Sequence, residues 1–263
     1  MKIGIVGLGV VGSACRSGFE RCGYEVIVHD IKLDTDLSDV LDTEICYVCV
    51  PTPSNDDGSC NTDIVELVVA RLHDMNYSGI TAIKSTIEPG TTQRLIEKYN
   101  DRIVFVPEFL KERSAEYDFV FDHKLLLVGS DNINHAYLVQ RSHGDLPKSF
   151  MRVSPTEAEM MKYYHNVFNA TRITFANVFY EMCEATGADY NKVKEAFLKN
   201  NTMPDEYLDV SKDLRGYGGA CLPKDVQAAQ QLCDKYQLNL KLFEAIAQTN
   251  DRFDKTVFDG MRM

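Results

Sequence analysis

The stretch Lys2-Ile3-Gly4-Ile5-Val6-Gly7-Leu8-Gly9-Val10-Val11-Gly12 decides the fold. A β-branched, apolar run leads directly into G-x-G-x-x-G, and Val10–Arg21 then reads as a helix. In that setting Gly7 makes a tight turn, Gly9 lets the backbone approach a pyrophosphate, and Gly12 lets the helix pack closely on the strand. The N–H groups of Leu8, Val10 and Val11 stand at the positive end of the helix, where phosphates bind. Asp30 closes the second predicted strand, Glu25–His29. An acid there accepts the two hydroxyls of an adenosine ribose and repels a 2′-phosphate, so the expected cofactor is NAD rather than NADP.

Outward from this motif, short β-branched runs alternate with helical patterns. Ile45–Val50, Ile80–Lys84, Ile103–Val106 and Lys124–Val128 read as further strands; Asp63–Leu72 and Thr91–Lys98 read as helices. The alternation predicts an α/β fold with a doubly wound parallel sheet. Two segments fall at carboxyl ends of strands, where open α/β sheets bind ligands: Thr52-Pro53 and Ser85-Thr86. Taken alone, each is equally a turn with a helix cap. After Pro155 the pattern becomes helical throughout, over Thr156–Glu184, Asn191–Leu198, Pro223–Tyr236 and Leu240–Met261. Residues 1–150 are therefore expected to form a Rossmann-type NAD-binding domain, and residues 151–263 an all-helical central domain. The long irregular segment 201–220 is of the kind that is functional or disordered.

Composition excludes several classes. The net charge of −11 lies mostly in residues 1–150, which argues against nucleic acid as a partner. Phosphates must then meet backbone amides and a helix dipole rather than a basic surface. Apolar runs are strand-length, so no membrane span is expected, and the glycine motif follows Met1 too closely for a signal peptide. Eight cysteines in a chain of this length are not a disulfide framework, and a reduced, cytoplasmic setting is expected. Cys46 and Cys49 form a C-x-x-C, but strand periodicity puts them on opposite faces. No metal site is predicted.

A second motif stands near the other end: Gly216-Tyr217-Gly218-Gly219-Ala220-Cys221-Leu222-Pro223-Lys224-Asp225. The glycines allow close backbone approach, and the proline suits the first turn of a helix. Cys221 would sit at the positive end of that helix, with Lys224 about one turn away; both favour the nucleophilic thiolate. By itself this is equally a buried cysteine at an ordinary loop–helix junction.

Two more segments complete the order: Pro107-Glu108-Phe109-Leu110-Lys111-Glu112 after the fifth strand, and Lys162 with Asn166 at i and i+4 on one helix face. Together these motifs resemble the UDP-glucose/GDP-mannose dehydrogenase family, in particular its UDP-glucose 6-dehydrogenase members, from Met1 to about Asn250. The resemblance implies oxidation of a nucleotide sugar's primary alcohol to a carboxylate with two NAD in succession, UDP-glucose to UDP-glucuronate. By the match, Cys221 carries a thiohemiacetal and then a thioester, and Lys162 and Asn166 stabilise the oxyanion. Glu108 is the general base for hydrolysis, with Thr86 and Asp225 holding the water. The match also gives Glu112 and Lys224 as cofactor contacts beside Thr52, Pro53 and Ser85. Glu108–Lys111, Lys162, Asn166, Arg215, Tyr217 and Gly218 become substrate contacts, and a homodimer is implied.

The chain departs from the family in two ways. Relatives continue into a further nucleotide-binding domain, so a short form is expected here. The loop Asn201–Leu214 has no arginine before Arg215, where relatives often bring one across a dimer interface. Two other readings stay open: a single-step β-hydroxyacid-type dehydrogenase with Cys221 a bystander, and a catalytically idle NAD-binding protein.

Overall fold

The computed structural model describes residues 1–200 and 204–256. The chain divides into two compact units, one of Met1–Asn55 with Cys60–Lys162, the other of Asp56–Ser59 with the chain from Tyr163 onward.

The first unit is built on a seven-stranded sheet: β1 Lys2–Val6, β2 Glu25–His29, β3 Ile45–Val48, β4 Ile80–Ile83, β5 Ile103–Phe105, β6 Leu126–Gly129 and β7 Phe150–Val153. The spatial order is β2-β1-β3-β4-β5-β6-β7. The chain leaves β1 to one side for β2 and returns on the other for β3. That reversal opens a crevice at the carboxyl end of β1. Helices α1 Val10–Arg21, α2 Asp63–Asp74, α3 Thr91–Lys98, α4 Ala115–Phe121 and α5 Ile133–Ser142 cover the sheet. One face buries Ile3, Ile5, Ile45 and Tyr47 with Phe19 and Phe119; another cluster buries Val6, Cys46 and Val48 with Val40 and Leu72. Cys49 packs against the first cluster, so the two thiols of the C-x-x-C do face opposite ways.

The sheet is not parallel throughout. β6 runs antiparallel to β5, and β7 runs parallel to β6. The connection 106–125 therefore starts and finishes at the carboxyl end of β5. This keeps Glu108 and Glu112 on the edge that carries the glycine motif. The sequence reading also passes over α4, α5 and β7. α4 has only seven residues, and Met151 and Arg152 of the edge strand β7 are exposed, so no apolar alternation marks it.

The long helix α6, Pro155–Thr186, begins with a capping box. The Glu157 carboxylate accepts from both the N–H and the hydroxyl of Ser154, at 2.8 and 2.7 Å. One turn later, buried Glu159 accepts from the backbone N–H groups of Gly90 and Thr92, at 2.6 and 2.7 Å. It caps α3, whose own N-cap is a glycine without a side chain.

In the second unit α6 continues, followed by α7 Tyr190–Asn200, α8 Leu222–Lys235 and α9 Leu242–Asn250. Two short strands, β8 Gly216–Tyr217 and β9 Lys255–Thr256, pair in parallel. The predicted helix Leu240–Met261 is thus much shorter, and residues 257–261 lie outside the described residues. α9 stops where Asn250 turns inward; its amide bonds both the N–H and the C=O of Tyr217, at 2.9 and 3.1 Å. The irregular segment is likewise pinned, because the Tyr190 hydroxyl donates to the Leu208 carbonyl at 2.7 Å. Its residues 201–203, Met203 included, lie outside the described residues.

Candidate functional site

In the first unit the carboxyl ends of β1, β3, β4 and β5 share one edge. They bring Gly7–Gly12, Thr52-Pro53, Ser85-Thr86 and Pro107–Glu112 to the same side of the sheet. Gly7 has φ +93°, and a Cβ there would lie 2.6 Å from the Cys49 carbonyl oxygen. A Cβ on Gly12 would lie 1.9 Å from the Gly7 carbonyl oxygen. By contrast, nothing lies within 4 Å of where a Gly9 Cβ would be. Two glycines are therefore demanded by the fold itself. Gly9, at the N-cap of α1, leaves open room over the helix N-terminus, where a pyrophosphate would sit.

Asp30 accepts from the Leu8 N–H at 2.6 Å and the Lys32 N–H at 2.9 Å, one on each oxygen. These backbone bonds, Leu8 first, hold its carboxyl below the usual aspartate range. Each oxygen keeps a lone pair for a ribose hydroxyl. The open space over Gly9 and this fixed anion fit a dinucleotide with a free 2′-hydroxyl. Asp30→Ala is expected to narrow the preference for NAD over NADP by at least about tenfold, by removing a like-charge contact. Binding titrations with both cofactors check it.

Neighbouring predicted contacts are partly tied into the fold. The Ser85 hydroxyl donates to the Val50 carbonyl at 2.7 Å. The Thr86 carbonyl accepts from the Cys60 thiol at 3.4 Å, and the Pro53 carbonyl accepts from the Asn61 N–H at 2.8 Å. Thr52 is half-buried, and Glu112 opens a short turn after β5. The Lys111 N–H donates to Asp118 at 2.8 Å, which leaves half-buried Leu110 between it and Phe109.

Glu108 is buried, with its Oε1 accepting from the Phe109 N–H at 3.0 Å. Lys84 Nζ stands 3.0 Å from Oε2, and the two side chains are 1% and 10% exposed. This is an ion pair set off the line of a directed hydrogen bond. Burial pushes both groups toward their neutral forms, but their mutual attraction wins. Glu108 is held below the usual glutamate range and Lys84 above the usual lysine range. Lys162 donates to the Glu108 main-chain carbonyl at 2.5 Å and lies 5.9 Å from the centre of the Phe109 ring.

Lys84 is the partner that sequence reading missed. A lysine ending the buried strand Ile80-Thr81-Ala82-Ile83 is the signal, since such a charge needs a counterion.

In the second unit Cys221 is exposed at the N-cap of α8, and Pro223 lies in the first turn. Gly219, two residues earlier, has φ +75°, as the glycine turn requires. One helical turn on, Asp225 is 1% exposed. It accepts from the Asn166 amide at 2.5 Å and from Lys224 Nζ at 2.8 Å. The Lys224 ammonium is thus paired with Asp225, and Cys221 stands at the positive end of the α8 dipole.

Arg215 is held by groups of its own unit. It bonds Asn177 at 2.9 Å, pairs with Glu181, and lies between the rings of Tyr180 and Phe253, at 5.0 and 5.1 Å. The Tyr217 side chain is buried; Gly218 beside it is half-buried. Among the described residues no group of three or more His, Cys, Asp or Glu is placed to hold a metal ion. None of their helices is long and apolar enough to cross a membrane.

Several known proteins are similar to this chain. UDP-glucose 6-dehydrogenase TuaD of Bacillus subtilis is 26% identical over 95% of this chain, which spans 63% of that protein's length. A GDP-mannose 6-dehydrogenase of Azotobacter vinelandii is 27% identical over 95% of this chain and 68% of its own length. The solved structure of a UDP-glucose dehydrogenase from Pyrobaculum islandicum superposes with a TM-score of 0.86 at 24% identity, over 95% of this chain and 68% of that one. The NAD binding domain of the UDP-glucose/GDP-mannose dehydrogenase family matches residues 29–143, and the central domain of the same family matches residues 156–252. The chain belongs to the UDP-glucose/GDP-mannose dehydrogenase family.

Proposed function

We propose that this protein is an NAD-dependent nucleotide-sugar 6-dehydrogenase that oxidises a primary alcohol to a carboxylate through a covalent adduct on Cys221, with UDP-glucose as substrate. The observation that carries the reading is Cys221 itself, an exposed thiol at a helix N-terminus, one turn from a buried carboxylate already bonded to Asn166. Bound NAD supplies the two-electron acceptor, one molecule for each hydride.

The chain's residues do the rest. The Cys221 thiolate adds to the carbon of the aldehyde formed in the first oxidation, and the carbonyl oxygen takes up a proton to give a thiohemiacetal. Loss of that proton and of a hydride leaves a thioester. Water then adds, its proton passing to Glu108, the C–S bond breaks, and Cys221 leaves as thiolate. Lys162 and Asn166 are cation and amide donors of the kind that stabilise an oxyanion. Val10 and Val11 present the backbone N–H groups, and Asp30, fixed by the Leu8 N–H, the carboxylate, that would hold the dinucleotide. A thiol is required because an aldehyde gives up a hydride readily only as a tetrahedral adduct.

Incubation with NAD and either UDP-glucose or GDP-mannose tests the reading. UDP-glucuronate as the product supports it. GDP-mannuronate would move the substrate within the family, and NAD binding without turnover of either sugar would favour the idle reading.

We also propose a homodimer through α6. Tyr164, Phe168, Phe175, Phe179 and Met182 are all exposed along this one helix, at steps of three, four and seven residues. Such a stripe on a surface marks a contact. The pair Phe168→Glu and Phe175→Glu is expected to shift sedimentation from dimer to monomer; an unchanged dimer contradicts this interface.

A further inference from the structure

We propose that Lys84 is a positioning residue for Glu108, fixing that carboxylate as an oriented anion through a buried ion pair at the ends of β4 and β5. This rests on the reading of Glu108 as the base that takes a proton from water.

The geometry is specific. Lys84 Nζ is fully enclosed and 3.0 Å from Glu108 Oε2. It also lies over the faces of Tyr47 and Phe119, at 5.9 and 5.7 Å. These rings lie on β3 and α4 in one core cluster, so the ammonium is enclosed on that face of the sheet. Glu108 is held in turn. Its Oε1 takes the Phe109 N–H, and its main-chain carbonyl takes Lys162. The carboxylate therefore has one orientation, set by a lysine on the neighbouring strand.

The other titratable groups near the pair come from separate elements. Cys15 of α1 is buried and its thiol is pushed well up, by burial first, so it stays neutral. Tyr47 of β3 is likewise pushed well up by burial. His123, after α4, and His143, after α5, are both pushed down by burial, with Lys84 adding to the effect. Their rings pack edge to face at 5.6 Å. Cys49 follows β3 and packs against the same core. Lys162 donates to the Glu108 main-chain carbonyl rather than to its carboxylate. Of these groups, Lys84 is the cation in direct contact with the Glu108 carboxylate.

Removing the ammonium leaves a carboxylate in a low-dielectric site, where protonation becomes favoured. A base that is protonated at neutral pH cannot take a proton from water. Lys84→Met is then expected to move the acid limb of the pH–rate profile upward by about one to three pH units. Turnover at pH 7 should fall at least about tenfold and recover substantially by pH 9. Lys84→Arg, which keeps the charge, should leave the limb near its native position. A lysine that only stabilised the fold would lower the rate equally at every pH.

The chain with NAD and UDP-glucose is assayed across pH for the native protein, Lys84→Met, Lys84→Arg and Glu108→Gln. A shifted limb in the Met variant alone supports the proposal. A native limb in Lys84→Met, with Glu108→Gln inactive, overturns the role of Lys84 while leaving Glu108 the base. Native turnover by Glu108→Gln overturns both. Carboxyl-carbon NMR of the native chain needs neither turnover nor a foldable variant, with Glu108 assigned by its absence in Glu108→Gln. A Glu108 midpoint below that of ordinary glutamate supports the pairing, and one above it overturns the proposal.

Discussion

Cys221→Ser is expected to abolish carboxylate formation, lowering turnover by about 10³-fold or more, in the range seen when a covalent nucleophile is removed. Cys221 is exposed, and its main-chain carbonyl, which serine keeps, accepts from the Asp225 N–H at 3.0 Å. Serine is a preferred N-cap residue, so α8 should be as stable as before or slightly more so. Stability is expected to stay within about 0.5 kcal/mol of the native chain. The loss therefore reads chemistry: a hydroxyl near its ordinary pKa is a far weaker nucleophile than a thiolate beside a helix N-terminus. Thermal unfolding and product analysis on the same sample check both halves. A variant that still makes the acid at the native rate would leave Cys221 a bystander, as in a single-step dehydrogenase.

The second large effect separates binding from folding within one motif. Gly9→Ala is expected to fold normally, because nothing stands within 4 Å of the added Cβ. The methyl group would occupy the space over the first turn of α1 and hold the pyrophosphate away from the backbone N–H groups. Affinity for NAD should fall at least about tenfold, the equivalent of about 1.4 kcal/mol. Gly12→Ala is expected to behave differently. Its Cβ would meet the Gly7 carbonyl oxygen at 1.9 Å, so the turn itself must open. Stability should drop by about 1–3 kcal/mol, as for overpacked cores, and NAD binding should go with it. Calorimetric titration beside denaturant unfolding distinguishes the two. Equal loss of stability in both variants would mean that Gly9 is held by the fold and not by a ligand.

What the sequence reveals about this protein follows how local each constraint is. The turn at Gly7–Gly12 and the acid at Asp30 are legible because backbone geometry within one strand–helix–strand unit demands them. The same holds for Cys221, where glycine, cysteine and proline describe a helix start by themselves. Lys84 is less legible, since its meaning depends on Glu108 arriving at the end of the next strand. Asn166 and Lys224 could be named as site residues, but not that both would bond Asp225. Arg215 looked available for a substrate, yet Glu181, Asn177 and two rings engage it. The reversal of β6 was hidden for a similar reason. The direction of β6 depends on which end of β5 the connection 106–125 returns to, and no apolar pattern records that.

The covalent, two-step oxidation is tested most directly by counting NADH against nucleotide sugar consumed, in a single closed reaction with excess NAD. Two NADH for each UDP-glucose, with no aldehyde released, is the predicted result. One NADH for each sugar, with aldehyde as the product, would contradict the covalent role of Cys221.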